Sequence, residues 1–350
     1  MGANFCSDNV TGASPEIVEA RAAAAAAGPA MPYGNDAWTS RVEARLKEIF
    51  ETDLAAFPVA TGTAANALCL GGMAPPFGAV FCHPQSHIYE DECGAPEFYT
   101  GGAKLITVGG PAGKFAAADL DAAIVKTGIL GVHSVRPAAV SITQASEAGT
   151  LYTADEIRAI AEVARAQELG LHMDGARFAN AVASLGCSPA DITWRAGVDA
   201  LSFGATKNGA FAAEVAVVFN EDMASDFGYR RKRGGHLFSK MRFLSAQLEA
   251  YLDGDLWLKN AAHANASAAR LADGLAALDG IELVHAVEAN EVFAKFPNGL
   301  SAGLQEDGFA FYDEAVFQTP HVRLVCAFDT RQADVDALIA AAARHLATAT

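Results

Sequence analysis

Residues 171–180, LHMDGARFAN, and residues 201–210, LSFGATKNGA, decide the fold. In the first stretch an apolar lead ends at Asp174, and Gly175 then turns the chain into a segment carrying Arg177. An acid therefore stands where a buried strand stops, the edge at which open α/β sheets place their ligand chemistry. In the second stretch an apolar run over 198–204 passes into Thr206, Lys207 and Asn208, with room between the two strands for one crossover helix. The pattern predicts an amine beside the acid at one edge of a sheet.

Singly, an Asp-Gly turn and a lysine after a strand are ordinary structural features. Together they suit pyridoxal phosphate, which forms a Schiff base with a lysine and needs a carboxylate to keep its ring nitrogen protonated. The string HMDGAR followed by SFGATKNGA resembles the low-specificity L-threonine aldolases, a group of the fold type I, aspartate-aminotransferase-like enzymes. The likeness runs from FCSDNV near the N-terminus to VRLVCAFDT near the C-terminus. It implies an α/β fold: a large domain with a mostly parallel sheet between helices, and a small C-terminal α+β domain. It also implies pyridoxal 5'-phosphate as cofactor and retro-aldol cleavage of L-threonine, L-allo-threonine or related β-hydroxy-α-amino acids such as phenylserine to glycine and an aldehyde.

The bulk properties agree with such an enzyme. A chain of 350 residues with 51% hydrophobic content can bury a large core and suits two domains of unequal size. Turn residues at 253–255 mark the boundary, giving an arm and first helix start over 1–20, a large domain over 21–252 and a small domain over 253–350. A net charge of −16 argues against nucleic acid or an anionic membrane as partner. The apolar run at 22–27 is short and alanine-rich and reads as a helix, not a membrane span. MGANFC lacks the basic and apolar regions of a signal peptide, so a cytoplasmic protein is expected. The six cysteines show no CxxC spacing, and neither disulfides nor a metal site is expected.

Ser14-Pro15 starts and Gly28-Pro29 stops an alanine-rich helix, and apolar spacing over 38–50 predicts another. Thr61-Gly62-Thr63 precedes a helix-prone stretch over 64–71 and is either a plain cap or a phosphate cup built from backbone N–H groups and hydroxyls. Strands are predicted at 79–82, 104–108, 138–143 and 215–220, and Thr153 with Glu156 matches a capping box opening a helix to about residue 168. Helices over 243–252 and 256–278 follow, then strands 281–287 and 291–296, a helix 300–306, a strand 322–328 and a last helix 332–347.

Residue types alone leave His83 and His87 equal candidates in the loop after 79–82. The resemblance selects His87 as the histidine stacked on the cofactor ring. It assigns Ser7 and Arg323 to the substrate carboxylate and Arg177 to the ring hydroxyl side or the substrate. Where other members carry a histidine near the substrate hydroxyl, this chain has Glu147, so the base is His87, directly or through water, or Glu147. The resemblance also implies a homodimer or homotetramer with shared sites, in which a basic residue, Arg233 or Lys240, reaches the neighbouring subunit's phosphate. The rivals are another reaction on the same scaffold, a non-catalytic binding protein, and a nucleotide enzyme, the last disfavoured by the lack of a GxGxxG or Walker loop.

Overall fold

The structure, a computed structural model, describes residues 3–349. The Met1-Gly2 start and Thr350 lie outside the described residues. Seven strands form the main sheet: β1 (Ala55–Val59), β2 (Gly78–Cys82), β3 (Lys104–Thr107), β4 (Arg136–Thr143), β5 (Gly170–Gly175), β6 (Ala200–Gly204) and β7 (Glu214–Val218). Their spatial order is β1-β7-β6-β5-β4-β2-β3. Only β7 runs against the rest, pairing antiparallel with both β1 and β6. The short link from β6 to β7 explains the reversal, because a parallel return would need a crossover helix. Pro58 is tolerated in β1 because that strand is at the sheet edge.

Strands β2, β6 and β7 are buried throughout, as expected of a sheet covered by helices on both faces. One cover is Gly62–Met73, whose Leu68 and Cys69 are fully buried. The opposite core is led by Phe50, Phe178, Phe203 and Trp257, with Phe203 packed edge-on against Phe50 and Trp257.

A second sheet holds β8 (Glu282–Leu283), β9 (Glu291–Lys295) and β10 (Val322–Val325), all antiparallel in the order β10-β9-β8. Its core of Leu271, Val292, Leu324 and Leu338 is distinct from that of the main sheet. Helix Leu256–Ala276 joins the two, with Trp257 and Ala261 in one core and Ala268, Leu271 and Leu275 in the other. The N-terminal arm completes the smaller layer. Phe5 N–H donates to the Ala310 carbonyl at 2.7 Å, Val325 N–H donates to the Phe5 carbonyl at 2.8 Å, and the Phe5 ring is buried in that core.

Most elements predicted from sequence are present, including the capping box of Thr153 and Glu156 on helix Ala154–Ala166. Three expectations are corrected. His87 does not lie in open loop but starts a one-turn helix, His87–Glu90. The strand expected over 281–287 is only β8, because it has a single partner, at the sheet edge. The strand expected over 322–328 ends at Val325, where Cys326 N–H donates to the Asn290 carbonyl instead. Among the described residues no helix is long and apolar enough to cross a membrane.

Candidate active site

Two adjacent strand ends carry the acid and the amine. β5 and β6 are parallel neighbours with Asp174 opposite Ser202, and β6 ends at Gly204 three residues before Lys207. Both residues line one cavity of about 300 Å³, together with Thr61, Gly62, Thr63, Asn66, His87, Glu92, Thr206 and Glu214. Close backbone packing makes this edge. A Cβ on Gly204 would lie 2.5 Å from the Ala176 carbonyl oxygen, and one on Gly175 would lie 2.8 Å from the Ser202 carbonyl oxygen. The Asp-Gly turn and the end of β6 therefore interlock only because neither glycine has a side chain.

Asp174 is 3% exposed and is held on both oxygens. Oδ1 accepts from Ala176 N–H at 3.0 Å and Oδ2 from Asn66 Nδ2 at 2.8 Å. At the other side of the cavity, Thr61 caps helix Gly62–Met73, its Oγ1 accepting from Ala64 N–H at 3.1 Å while its carbonyl accepts from Ala65 N–H. Those two bonds leave the first-turn N–H groups of Gly62 and Thr63 as donors at the positive end of the helix, which is how an anion is held without a cation. The cap and the phosphate cup proposed as alternatives for Thr61-Gly62-Thr63 are thus compatible in one geometry.

His87 lines the same cavity, half-buried, with Nδ1 2.9 Å from Glu92 Oε1. Its imidazole is raised above the ordinary histidine value, chiefly by that bond, against the lowering effect of burial. Glu92 is itself raised by burial, with His87 and Asn66 pulling the other way. His83 is buried elsewhere, against the Gly110 carbonyl at 3.1 Å. Glu214, at the head of β7, is pushed up to about 7 by burial, opposed by the Thr206 and Ala205 donors and by Lys207.

The arginines and the arm form a neighbouring cluster. Arg177, 5% exposed, donates from Nε to Asp8 Oδ2 at 2.8 Å and from Nη2 to Asp8 Oδ1 at 3.1 Å, and its Nη1 is 3.3 Å from Glu291 Oε2. Burial alone would raise both acids. Asp8 is nevertheless held below its usual range by Arg177 and Lys207, whereas Glu291 stays raised. The difference follows from geometry, since Asp8 takes the two aligned hydrogen bonds and Glu291 only the longer contact. Arg177 is therefore the hub of a buried network, a placement the sequence did not foretell.

Ser7 caps the short turn Asp8–Val10, its Oγ accepting from Asn9 N–H at 3.1 Å. Arg323 is half-buried, donates from Nη2 to the Cys6 carbonyl at 3.3 Å and lies over the Tyr312 ring. Glu147 is half-buried and acts electrostatically on Arg177, Glu291 and His87. The basic run 230–233 is spread over the last turn of Glu221–Arg233. Arg231 turns inward to the Pro58 carbonyl at 3.2 Å, while Arg233 and Lys240 are exposed and do not line the cavity. The sequence reading missed Asn66, Glu92, Glu214, Asp8 and Glu291. A carboxylate heading the apolar run EVAVV was a visible anomaly, but the others sit in plain helix, turn or strand context.

The donor set fits pyridoxal phosphate: an amine, a hydrogen-bonded carboxylate, an imidazole and a helix N-terminus face one cavity. Comparison with known proteins agrees. A low-specificity L-threonine aldolase of Pseudomonas sp. (strain NCIMB 10558) is 42% identical over 336 residues, 96% of each chain. The solved structure of Leishmania major threonine aldolase superposes with a TM-score of 0.91 at 28% identity, covering 98% of this chain and 99% of that one. An aspartate aminotransferase from Rhodobacter sphaeroides shares the fold, with a TM-score of 0.73 at 16% identity, over 99% of this chain and 93% of its own. The family model for beta-eliminating lyases matches residues 4–298, and with these relatives alongside, the chain belongs to the beta-eliminating lyase family, on the threonine aldolase side of it.

Proposed function

We infer that this chain is a pyridoxal-phosphate-dependent aldolase that splits L-threonine, L-allo-threonine and related β-hydroxy-α-amino acids, phenylserine among them, into glycine and an aldehyde. The observation that carries the reading is the pairing of Asp174 and Lys207 on one cavity that also has a free helix N-terminus. Lys207 would hold the cofactor, Asp174 its ring nitrogen, and Thr61, Gly62 and Thr63 its phosphate. When bound, pyridoxal phosphate supplies a sink for the electron pair left on Cα as the Cα–Cβ bond breaks. Asp174, with both oxygens accepting N–H groups, would be held in place to face the ring nitrogen. His87 covers the cavity and, with Glu147 or a water, is a candidate to take the hydroxyl proton. Ser7 and Arg323 would hold the substrate carboxylate. Arg177, bound to Asp8 and Glu291, would act by fixing the arm beside that carboxylate.

The cavity wall carries Glu92, Asp174 and Glu214 against one lysine, a balance hostile to a phosphate dianion. That supports the delivery of a cation by a second subunit, from Arg233 or Lys240, in a cytoplasmic homodimer or homotetramer. A fully active monomer in sedimentation at assay concentration would overturn the shared site. The two cores support a large and a small domain, with the division we place near residue 253 falling just before helix Leu256–Ala276, which reaches into both. The function itself is tested by assaying glycine release from L-threonine, L-allo-threonine and phenylserine with the purified, cofactor-loaded protein. Release from at least one threonine diastereomer is expected, and release from none of the three would refute the reading.

A further inference from the structure

Glu92 is a buried carboxylate at the cavity wall. Its side chain is fully enclosed, yet it makes two hydrogen bonds through a single oxygen. Asn66 Nδ2 donates to Oε1 at 2.8 Å, and His87 Nδ1 lies 2.9 Å from the same atom. The orientation of the Asn66 amide is fixed by its surroundings, because the atom that reaches Glu92 also reaches Asp174 Oδ2 at 2.8 Å. Only an NH₂ group satisfies two carboxylate oxygens at once. Oε1 thus accepts from Asn66, and with Glu92 as the carboxylate the imidazole supplies the proton of its bond, placing N–H on Nδ1. The other ring nitrogen, Nε2, then carries a lone pair, on a ring that lines the cavity.

We propose that Glu92 is the positioning residue that makes His87 the proton acceptor of the cleavage, by fixing the Nδ1–H tautomer and balancing the charge the ring acquires. The inference rests on the aldolase reading above. The substrate O–H bond would break as Nε2–H forms and the O–H electron pair would become the second bond of the aldehyde carbonyl, while the cofactor, when bound, would supply the sink for the Cα–Cβ pair. His87 then holds the proton until it is returned, so nothing beyond the substrate itself is consumed. A neighbouring carboxylate strengthens a histidine base in this way wherever the pair is fixed and dry.

The charged groups facing His87 are Glu92 from its own turn, Asp174 at the end of β5, Glu147 from the loop after β4 and Lys207 after β6. The first three favour the imidazolium, Lys207 opposes it, and Glu92 acts most strongly. Removing its charge by the near-isosteric Glu92→Gln must therefore let His87 lose its proton at lower pH. In the pH profile of kcat/KM for threonine, the acid limb of this variant is expected to move to lower pH, and kcat to fall by about 10–100-fold. An unmoved limb would overturn the proposal. Because Glu92 acts through His87, adding Glu92→Gln to His87→Phe should change kcat by no more than a factor of about two, whereas losses that multiply would show an independent role. Retained visible absorbance of bound cofactor in each variant shows that the site has folded. If the wild type releases no glycine the aldolase reading fails, and if it does while the limb stays put only this inference fails.

Discussion

Glu214 is a buried carboxylate whose surroundings oppose its charge. It is 6% exposed, faces Lys207 and is bonded by Ala205 N–H at 2.9 Å, and burial still pushes it up to about 7. Its proton is bound more tightly in the folded chain than in the unfolded one, where a glutamate titrates near 4.5. Such a group contributes stability that is complete below about pH 4.5 and is lost as pH rises through about 7. Urea unfolding at pH 6 and pH 8.5 should therefore show a loss of stability in the wild type that is smaller in Glu214→Gln. An equal loss in both would mean that Glu214 is ionised throughout. Asp174 and Lys207 were legible in the sequence because each breaks an apolar run at a strand end. Asn66 and Asp8 were not, since their meaning lies in partners far along the chain: Asn66 with Asp174, and Asp8 with Arg177.

Elements were legible where local chemistry sets their ends. Asp36 caps Ala37–Phe50 and Ser14-Pro15 opens Pro15–Ala26, and both helices lie where the spacing predicts. Strand ends were less legible, because hydrogen-bonded partners rather than propensity decide them, as the shortening to β8 illustrates. Interlocking of elements was invisible. The glycine before Ala205 reads as a strand breaker, yet its task is to let β6 end against the Ala176 backbone. Gly204→Ala would bring a methyl 2.5 Å from that carbonyl oxygen, and backbone cannot yield as a flexible side chain does. Overpacking of this kind costs about 1–3 kcal/mol. The variant is expected to unfold at lower denaturant and to retain cofactor poorly, because the same shift parts Asp174 from Lys207. Unchanged stability and cofactor content would show that the edge is softer than its packing suggests.

At the scale of the whole molecule, the buried ion network ties the arm, the main sheet and the smaller sheet together. Asp8 comes from the arm, Arg177 from the turn after β5 and Glu291 from the start of β9, while Asn290 Nδ2 donates to Asp8 Oδ2 at 3.0 Å. Asp8→Ala would leave Arg177 with the longer Glu291 contact alone, and breaking a buried pair on one side costs about 3–5 kcal/mol. A drop of that order in unfolding free energy, with a raised threonine KM as the arm loosens, is expected. A neutral outcome in both would make the network incidental. The resemblance anticipated the arm at the site but not the acid that anchors it. The assignment of Lys207 to pyridoxal phosphate opposite Asp174 is checked by borohydride reduction of the purified protein followed by peptide mass spectrometry. A phosphopyridoxyl adduct is expected on the peptide containing Lys207 and none in Lys207→Ala. An adduct on another lysine, or none on the wild type supplied with cofactor, would contradict it.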